Sequence, residues 1–329
     1  MREINFGDAL NEAHHEEMEA NEKVIVLGED VELAYVFGVS KGLAERFGKD
    51  RVRDTPISEN IMTGMAVGVA AAGYRPVCHL LYGNFIYTGF DSIANQAAKL
   101  KYMTAGQVKL PIVYMAVIGG GRSAAAQHSD IPYPALMNLG GIKIVVPSNA
   151  RSAKGLLKSA IRDDNPVFFL SAAGGGKPEE VPEDEDFLIP IGQAELIKEG
   201  HDITIIAIGA MTIKATQAAQ ELSDQGISVE VIDLLSLMPI DEDTIISSVK
   251  KTKRVIIVDE SRDICSAASH IAAIISDKAF EFLKAPIKRV TVQDVAIPYA
   301  PFLEDIVIPN IDDIKNEVID LIEGYGHNV

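Results

Sequence analysis

The sequence predicts an α/β protein built from two doubly wound domains. Three observations predict it. Short Val/Ile/Leu runs without polar alternation recur along the chain, as strands covered on both faces require. Amphipathic helical patterns separate those runs, as crossovers between parallel strands would. A Gly/Pro-rich acidic stretch interrupts the alternation once, after which it restarts. The 329 residues, 47% of them hydrophobic, suffice for two domains that each bury a core.

In the first half, strands are expected at 24–27, 76–81, 111–117, 142–146 and 166–170, and helices at 6–20, 60–72, 90–103 and 150–162. Each strand is a continuous apolar run, and each helix carries apolar residues three and four apart. The break at 173–190 holds Gly174-Gly175-Gly176, prolines 178, 182 and 190, and an acidic cluster from Glu179 to Asp186. Flexible glycine, stiff proline and like charges together read as a linker. Beyond it, strands are expected at 203–208, 228–232, 254–258 and 288–291, with helices at 212–225, 241–251, 267–282 and 311–322. Gln225-Gly226 stops one of these helices, glycine supplying the left-handed cap. The expected domains are therefore 1–172 and 191–329, joined by 173–190.

Lys plus Arg number 30 against 47 Asp plus Glu, a formal charge of −17. No basic face is available for nucleic acid, and no polybasic cluster for anionic lipid. The longest apolar stretch, 65–73, is far short of the roughly 20 residues of a membrane span. Two cysteines, Cys78 and Cys265, exclude a disulfide framework and a Cys-rich metal site. A reducing cytoplasmic interior is the expected compartment.

Gly38-Val39-Ser40-Lys41-Gly42 has the spacing of a nucleophile elbow, but Ala34 to Phe37 is a poor strand and Ser40 reads as a helix N-cap. Gly174-Gly175-Gly176-Lys177 lacks both the leading glycine and the following Ser/Thr of a phosphate loop. No G-x-G-x-x-G joins a strand to a helix. Gly119-Gly120-Gly121 follows a strand and suits either close backbone approach to a ligand or a flexible turn. The seven histidines lack metal-site spacing. His128, in the polar loop Gln127-His128-Ser129 after a strand, is placed where α/β proteins build sites. Its position alone weighs a functional and a structural role equally. Asp54-Thr55-Pro56-Ile57-Ser58-Glu59 leads into a helix of small residues. Taken alone, Glu59 there does no more than complement the helix dipole.

Five motifs in order carry a resemblance: Gly28-Glu29-Asp30-Val31, Asp54 to Glu59, Asn95-Gln96-Ala97-Ala98-Lys99, Ala126-Gln127-His128-Ser129, and Lys154 to Asp163. With Val231 to Leu234 and Val258-Asp259-Glu260, the chain resembles, over nearly its whole length, a family of enzyme subunits. These are the beta subunits of the thiamine-diphosphate-dependent decarboxylating first component of 2-oxo acid dehydrogenase complexes, of pyruvate, branched-chain and acetoin type.

The resemblance implies a pyrimidine-type thiamine-diphosphate-binding domain followed by a transketolase C-terminal-like domain. It implies decarboxylation of a 2-oxo acid and transfer of the acyl group to a lipoyl carrier. Glu59 matches the glutamate that hydrogen-bonds the aminopyrimidine, and Phe85 the aromatic that stacks on it. Ile57 and Leu81 would line the same cleft. His128 matches the histidine that handles the substrate carbonyl or the incoming lipoyl group. A structural potassium ion is implied at Ile112, Ala160, Ile161, Asp163 and Asn165. The diphosphate and magnesium motif, Gly-Asp-Gly…Asn, is absent here and belongs to an alpha subunit in two-chain members. An α2β2 heterotetramer docked on a lipoyl acyltransferase core is implied, with activity only in the presence of alpha.

The chain departs from the family at Asn84, at Asp130 to Pro134, at Ser171 to Gly176 and at Val117-Ile118-Gly119. The catalytic positions stay in place, so an unusual 2-oxo acid or acceptor is compatible with the pattern. Two rival readings stand beside this one: a two-chain thiamine-dependent carboligase or ketol transferase with another acceptor, and a non-catalytic scaffold subunit.

Overall fold

The computed structural model describes residues 2–33, 35–172, 177–184 and 186–324. Residues 173–176 and Glu185 of the expected linker, with the Gly174–Gly176 run, lie outside the described residues. The chain groups into two units, 1–118 with 135–191, and 119–134 with 192–329.

In the first unit, parallel strands lie in the order Lys143–Val145, Val167–Ala172, Val113–Ile118, Arg75–Tyr82, Val24–Gly28, Val52–Asp54. The interior strands are buried almost without break, as their unalternated sequences require. The chain runs from Val24–Gly28 to a neighbour on one side, then returns to Arg75–Tyr82 on the other. That reversal opens a crevice at the carboxyl ends of Val24–Gly28 and Arg75–Tyr82, where doubly wound folds bind ligands.

Helices Phe6–Ala20 and Ala150–Arg162 pack together through a ladder of charges. Lys154 and Lys158 are fully buried, yet Lys154 Nζ lies 3.2 Å from Glu12 and 2.8 Å from Glu16, and Lys158 pairs with Glu16. Arg162 meets Glu17 at 2.7 Å. Arg2–Ile4 pairs antiparallel with Glu179–Val181, so part of the acidic stretch is strand rather than free linker. Short two- or three-residue pairings leave no periodicity to read, and neither strand was legible in the sequence.

The second unit repeats the winding. Lys288–Val292, Val255–Arg262, Ile203–Ala207 and Val229–Asp233 are parallel, and Glu195–Lys198 adds an antiparallel edge. Helices Met211–Ser223 and Ile311–Gly324 cover one core through Ala215, Leu222, Ile314, Val318 and Leu321.

Two local expectations are corrected. The single helix expected over 90–103 is a π-helical stretch, Ser92–Ala97, then a short helix, Leu100–Met103. The amide of Ala98 donates to the Ile93 carbonyl, five residues back, which widens the turn. Ser40 caps no helix: its hydroxyl, fully buried, donates to the Val31 carbonyl at 2.9 Å, and Gly42 stands at the N-cap.

Candidate active site

Three adjacent strand ends of the first unit present the site. Val24–Gly28 ends in Glu29, Val52–Asp54 leads to Glu59, and Arg75–Tyr82 runs into the turn that carries Phe85. Gly28 is forced by packing, since a Cβ there would lie 2.6 Å from the His79 carbonyl oxygen. The loops are pinned reciprocally: the Asp54 amide donates to Glu32 at 3.0 Å, the Glu32 amide to Asp54 at 2.8 Å, and the Thr55 amide to the Gly28 carbonyl at 2.9 Å.

Glu59 is the first residue of the helix Glu59–Ala71 and is half-buried in this chain. Its carbonyl accepts the Thr63 hydroxyl at 2.8 Å, and the Tyr114 hydroxyl donates to the Thr63 carbonyl at 2.9 Å. The head of the helix is thereby fixed to the sheet. Around it Ile57, Ile61 and Met65 are 83%, 67% and 37% exposed, an apolar rim with nothing over it in a single chain. Ile57 is thus exposed to solvent in the single chain.

Leu81 has φ +55°, and the pairing with Val113–Ile118 shifts register between His79 and Tyr82. Such a bulge turns the strand end and re-aims the side chains that follow. Tyr82 stacks edge-on against Phe37 at 5.8 Å and against Phe85 at 5.7 Å, making an aromatic row at the crevice. Asn84 precedes Phe85 in the same turn.

Glu29, which carried no expected role of its own, is the best-buried carboxyl of this edge at 4% exposure. Burial pushes its proton affinity up, and the charges of Glu59 and Asp30 push it further. Its Oε1 and the Thr55 hydroxyl are buried without a hydrogen-bond partner. Unpaired buried polar atoms are costly and mark a place for a polar ligand. The available signal was an acidic pair directly after an apolar strand.

His128 closes a short 3-10 turn in the second unit and is half-buried. Arg122 donates to its carbonyl at 2.6 Å. Ser129 beside it is 1% exposed, its hydroxyl unpaired. Asp130 is bound by Arg262 at 2.8 Å, and Tyr133 hydrogen-bonds Asp259. The departure of this segment from the family pattern thus accompanies an ion pair of its own. Gly119-Gly120-Gly121 forms no empty cradle: the amide of Gly120 donates to Glu260 at 2.6 Å and that of Gly121 to Glu304 at 2.7 Å.

Ile112, Ala160, Ile161, Asp163 and Asn165 offer an all-oxygen set of the kind a hard cation takes. Arg75 already donates to the Ile161 and Asp163 carbonyls at 2.9 and 3.0 Å, Lys101 to the Asn165 side-chain oxygen at 2.6 Å, and Lys143 to the Asp163 carboxylate at 2.5 Å. The carbonyls of Ile112 and Ala160 accept the Val167 and Asp163 amides. Each carbonyl keeps a second lone pair. Among the described residues, no three His, Cys, Asp or Glu side chains gather as metal ligands. Among the described residues, no helix is long and apolar enough to cross a membrane.

Comparison with known proteins speaks to the fold and the family. Residues 2–173 match the transketolase pyrimidine binding domain and residues 192–314 the transketolase C-terminal domain. The chain is 43% identical to the acetoin:2,6-dichlorophenolindophenol oxidoreductase subunit beta of Bacillus subtilis (strain 168), over 98% of each chain. It is 42% identical to the pyruvate dehydrogenase E1 component subunit beta of Rhizobium meliloti (strain 1021), over 97% of this chain and 70% of that one. A solved split-gene transketolase, described as an inactive beta4 tetramer, superposes with a TM-score of 0.79 at 27% identity, covering 98% of this chain and 99% of the other. The pyrimidine binding domain is one of thiamine-diphosphate-dependent enzymes, and the relatives' naming as beta subunits implies an alpha partner. The chain belongs to the family of beta subunits of the first, decarboxylating component of 2-oxo acid dehydrogenases, of pyruvate and acetoin dehydrogenase type.

Proposed function

We propose that this chain supplies the aminopyrimidine half of a thiamine diphosphate site in a cytoplasmic α2β2 enzyme that decarboxylates a 2-oxo acid and passes the acyl group to a lipoyl carrier on an acyltransferase core. The observation that carries the reading is the pair of unpaired buried atoms, Glu29 Oε1 and Thr55 Oγ1, at the crevice headed by Glu59. A polar, flat ring suits that setting. The bound coenzyme would supply a nucleophilic carbon and an electron sink for the departure of carbon dioxide.

Glu59 would hold the coenzyme's ring nitrogen by a shared proton, supplying the acid–base partner that its activation needs. Phe85 would stack on the ring face, and Leu81 with Ile57, which is exposed in the single chain, would line its edges and exclude water once the alpha subunit closes over them. His128 exchanges a proton with the substrate carbonyl or the incoming lipoyl group. The diphosphate and its magnesium fall to the alpha subunit. The Gly120 and Gly121 amides that could cradle a phosphate are given to the chain's own carboxylates. The uncovered apolar rim of Ile57, Ile61 and Met65 supports closure of the site by an unlike chain. The linker reading of 173–190, apart from the strand Glu179–Val181, belongs to the same proposal, as does a potassium ion at Ile112, Ala160, Ile161, Asp163 and Asn165. Added potassium, but not sodium, then raises the melting temperature.

The test is reconstitution. The chain alone gives no 2-oxo acid decarboxylation; with its alpha subunit it decarboxylates and acylates a lipoyl domain. Glu59→Gln lowers turnover several hundredfold, within the roughly 10²–10⁴ of acid–base groups. A fully active Glu59→Gln complex would instead favour the scaffold reading. Transfer to a carrier other than lipoyl would favour the carboligase.

A further inference from the structure

The segment 119–134 is held in the second unit by a series of charged joints. Three successive amides, of Gly121, Arg122 and Ser123, converge on the carboxylate of Glu304 at 2.7, 3.4 and 2.9 Å. The amide before them, of Gly120, donates to Glu260 at 2.6 Å. Glu304 is 2% exposed and Glu260 9%, so both carboxylates are spent inside the protein. The glycines make this approach feasible. A Cβ at Gly119 would lie 2.8 Å from Glu260, and one at Gly120 would lie 2.5 Å from Ile308 and 3.0 Å from Glu304.

Successive amides of this kind form a concave anion site. Here the anion is a side chain of the same polypeptide, delivered by the helix Pro301–Val307, with Glu260 placed by the strand Val255–Arg262 beside the reversal of the second sheet. The next joint leads to the candidate catalytic residue. Arg122, whose amide rests on Glu304, sends its guanidinium to the His128 carbonyl at 2.6 Å. Asp130 and Tyr133, on the far side of His128, are fixed by Arg262 and Asp259.

We propose that Glu304 is a positioning residue, holding the turn 119–123 so that Arg122 sets the backbone of His128. This rests on the role given to His128 above. Charge-assisted amide bonds in a buried setting are among the stronger hydrogen bonds, so one carboxylate can govern the whole turn.

The experiment uses the full chain and its complete α/β enzyme. In Glu304→Gln, amide hydrogen exchange across 119–129 rises tenfold or more, while the far edge of the same sheet keeps its protection. Turnover falls tenfold or more. Glu304→Asp, which keeps the charge, recovers part of both. His128→Asn combined with Glu304→Gln is no slower than His128→Asn alone, because the two act through one group. Should Glu304→Gln fail to fold, Arg122→Ala breaks the second joint without touching the buried carboxylate and shows the same non-additivity. Unchanged exchange, or losses that multiply in the double variant, overturns the proposal. Full turnover in His128→Asn overturns the role of His128 and the positioning claim with it, and the exchange result then still reports separately whether Glu304 holds the turn.

Discussion

His14 and His79 are fully buried with their Nε2 atoms 3.3 Å apart and their rings stacked at 5.4 Å. His14 Nδ1 faces the Leu10 carbonyl at 2.7 Å, so Nδ1 carries its proton and Nε2 accepts from His79. Burial holds His14 down at about 4, with the neighbouring His15 adding to the effect, and burial holds His79 well below its ordinary value. The unfolded histidines take up protons near 6.5, which the native pair refuses. Stability is therefore complete above that pH and declines as pH falls from about 6.5 to about 4, by about 3 kcal/mol for His14 alone. Urea melts of the chain from pH 7 to pH 4.5 should show this decline, and His14→Asn should flatten it; parallel curves for the two proteins would dismiss the pair as its source. Glu29 has the opposite sign. Its carboxyl is raised by burial and by the Glu59 charge, so the ionised form opposes folding at neutral pH. Glu29→Gln should raise the melting temperature at pH 7.5, and the gain should vanish below the ordinary glutamate range near 4.3. A variant less stable than the parent at pH 7.5 would count against that account.

The helix Glu59–Ala71 owes its placement to a close approach on its N-terminal turn. A Cβ at Gly89 would lie 2.6 Å from the Thr63 hydroxyl and 2.9 Å from the Glu59 carbonyl oxygen. Gly89→Ala should therefore push the head of the helix away from the turn that carries Gly89, costing about 1–3 kcal/mol by overpacking. Turnover in the reconstituted enzyme should fall with it as Glu59 leaves its position. A melt unchanged by Gly89→Ala, with activity intact, would mean that the turn yields freely. Periodicity made this helix, Phe6–Ala20 and the buried strands legible, because continuous apolar runs and three-four spacing are strong local signals. The π-helical stretch Ser92–Ala97 was not legible, since one widened turn leaves the apolar spacing nearly intact. Glu59, Phe85 and His128 took roles from the likeness, whereas Glu29, though inside a matching motif, and Glu304 took none. A buried carboxylate differs from a solvated one only through neighbours distant in sequence, and Glu304 meets its amides from some 180 residues away.

At the scale of the molecule, two kinds of surface ask for two kinds of partner. The rim around Glu59 is apolar, while the chain as a whole carries a net charge of −17. Association across the apolar rim draws on burial of hydrocarbon, which salt does not weaken. The proposed docking of an acyltransferase core, if it uses a basic binding module, would in contrast draw on the acidic surface. Raising salt from about 0.1 M to about 1 M shortens the screening length from roughly 10 to roughly 3 Å. The α/β enzyme should remain assembled across that range when followed by sedimentation. Over the same range its affinity for the basic module should fall tenfold or more, chiefly through slower association, because long-range attraction acts on encounter more than on escape. Surface-binding kinetics at three salt concentrations separate the two contacts. An acyltransferase affinity indifferent to salt would move that contact off the acidic surface, and an α/β pair that dissolves in salt would show that charge, rather than the exposed Ile57, Ile61 and Met65, holds the two chains together.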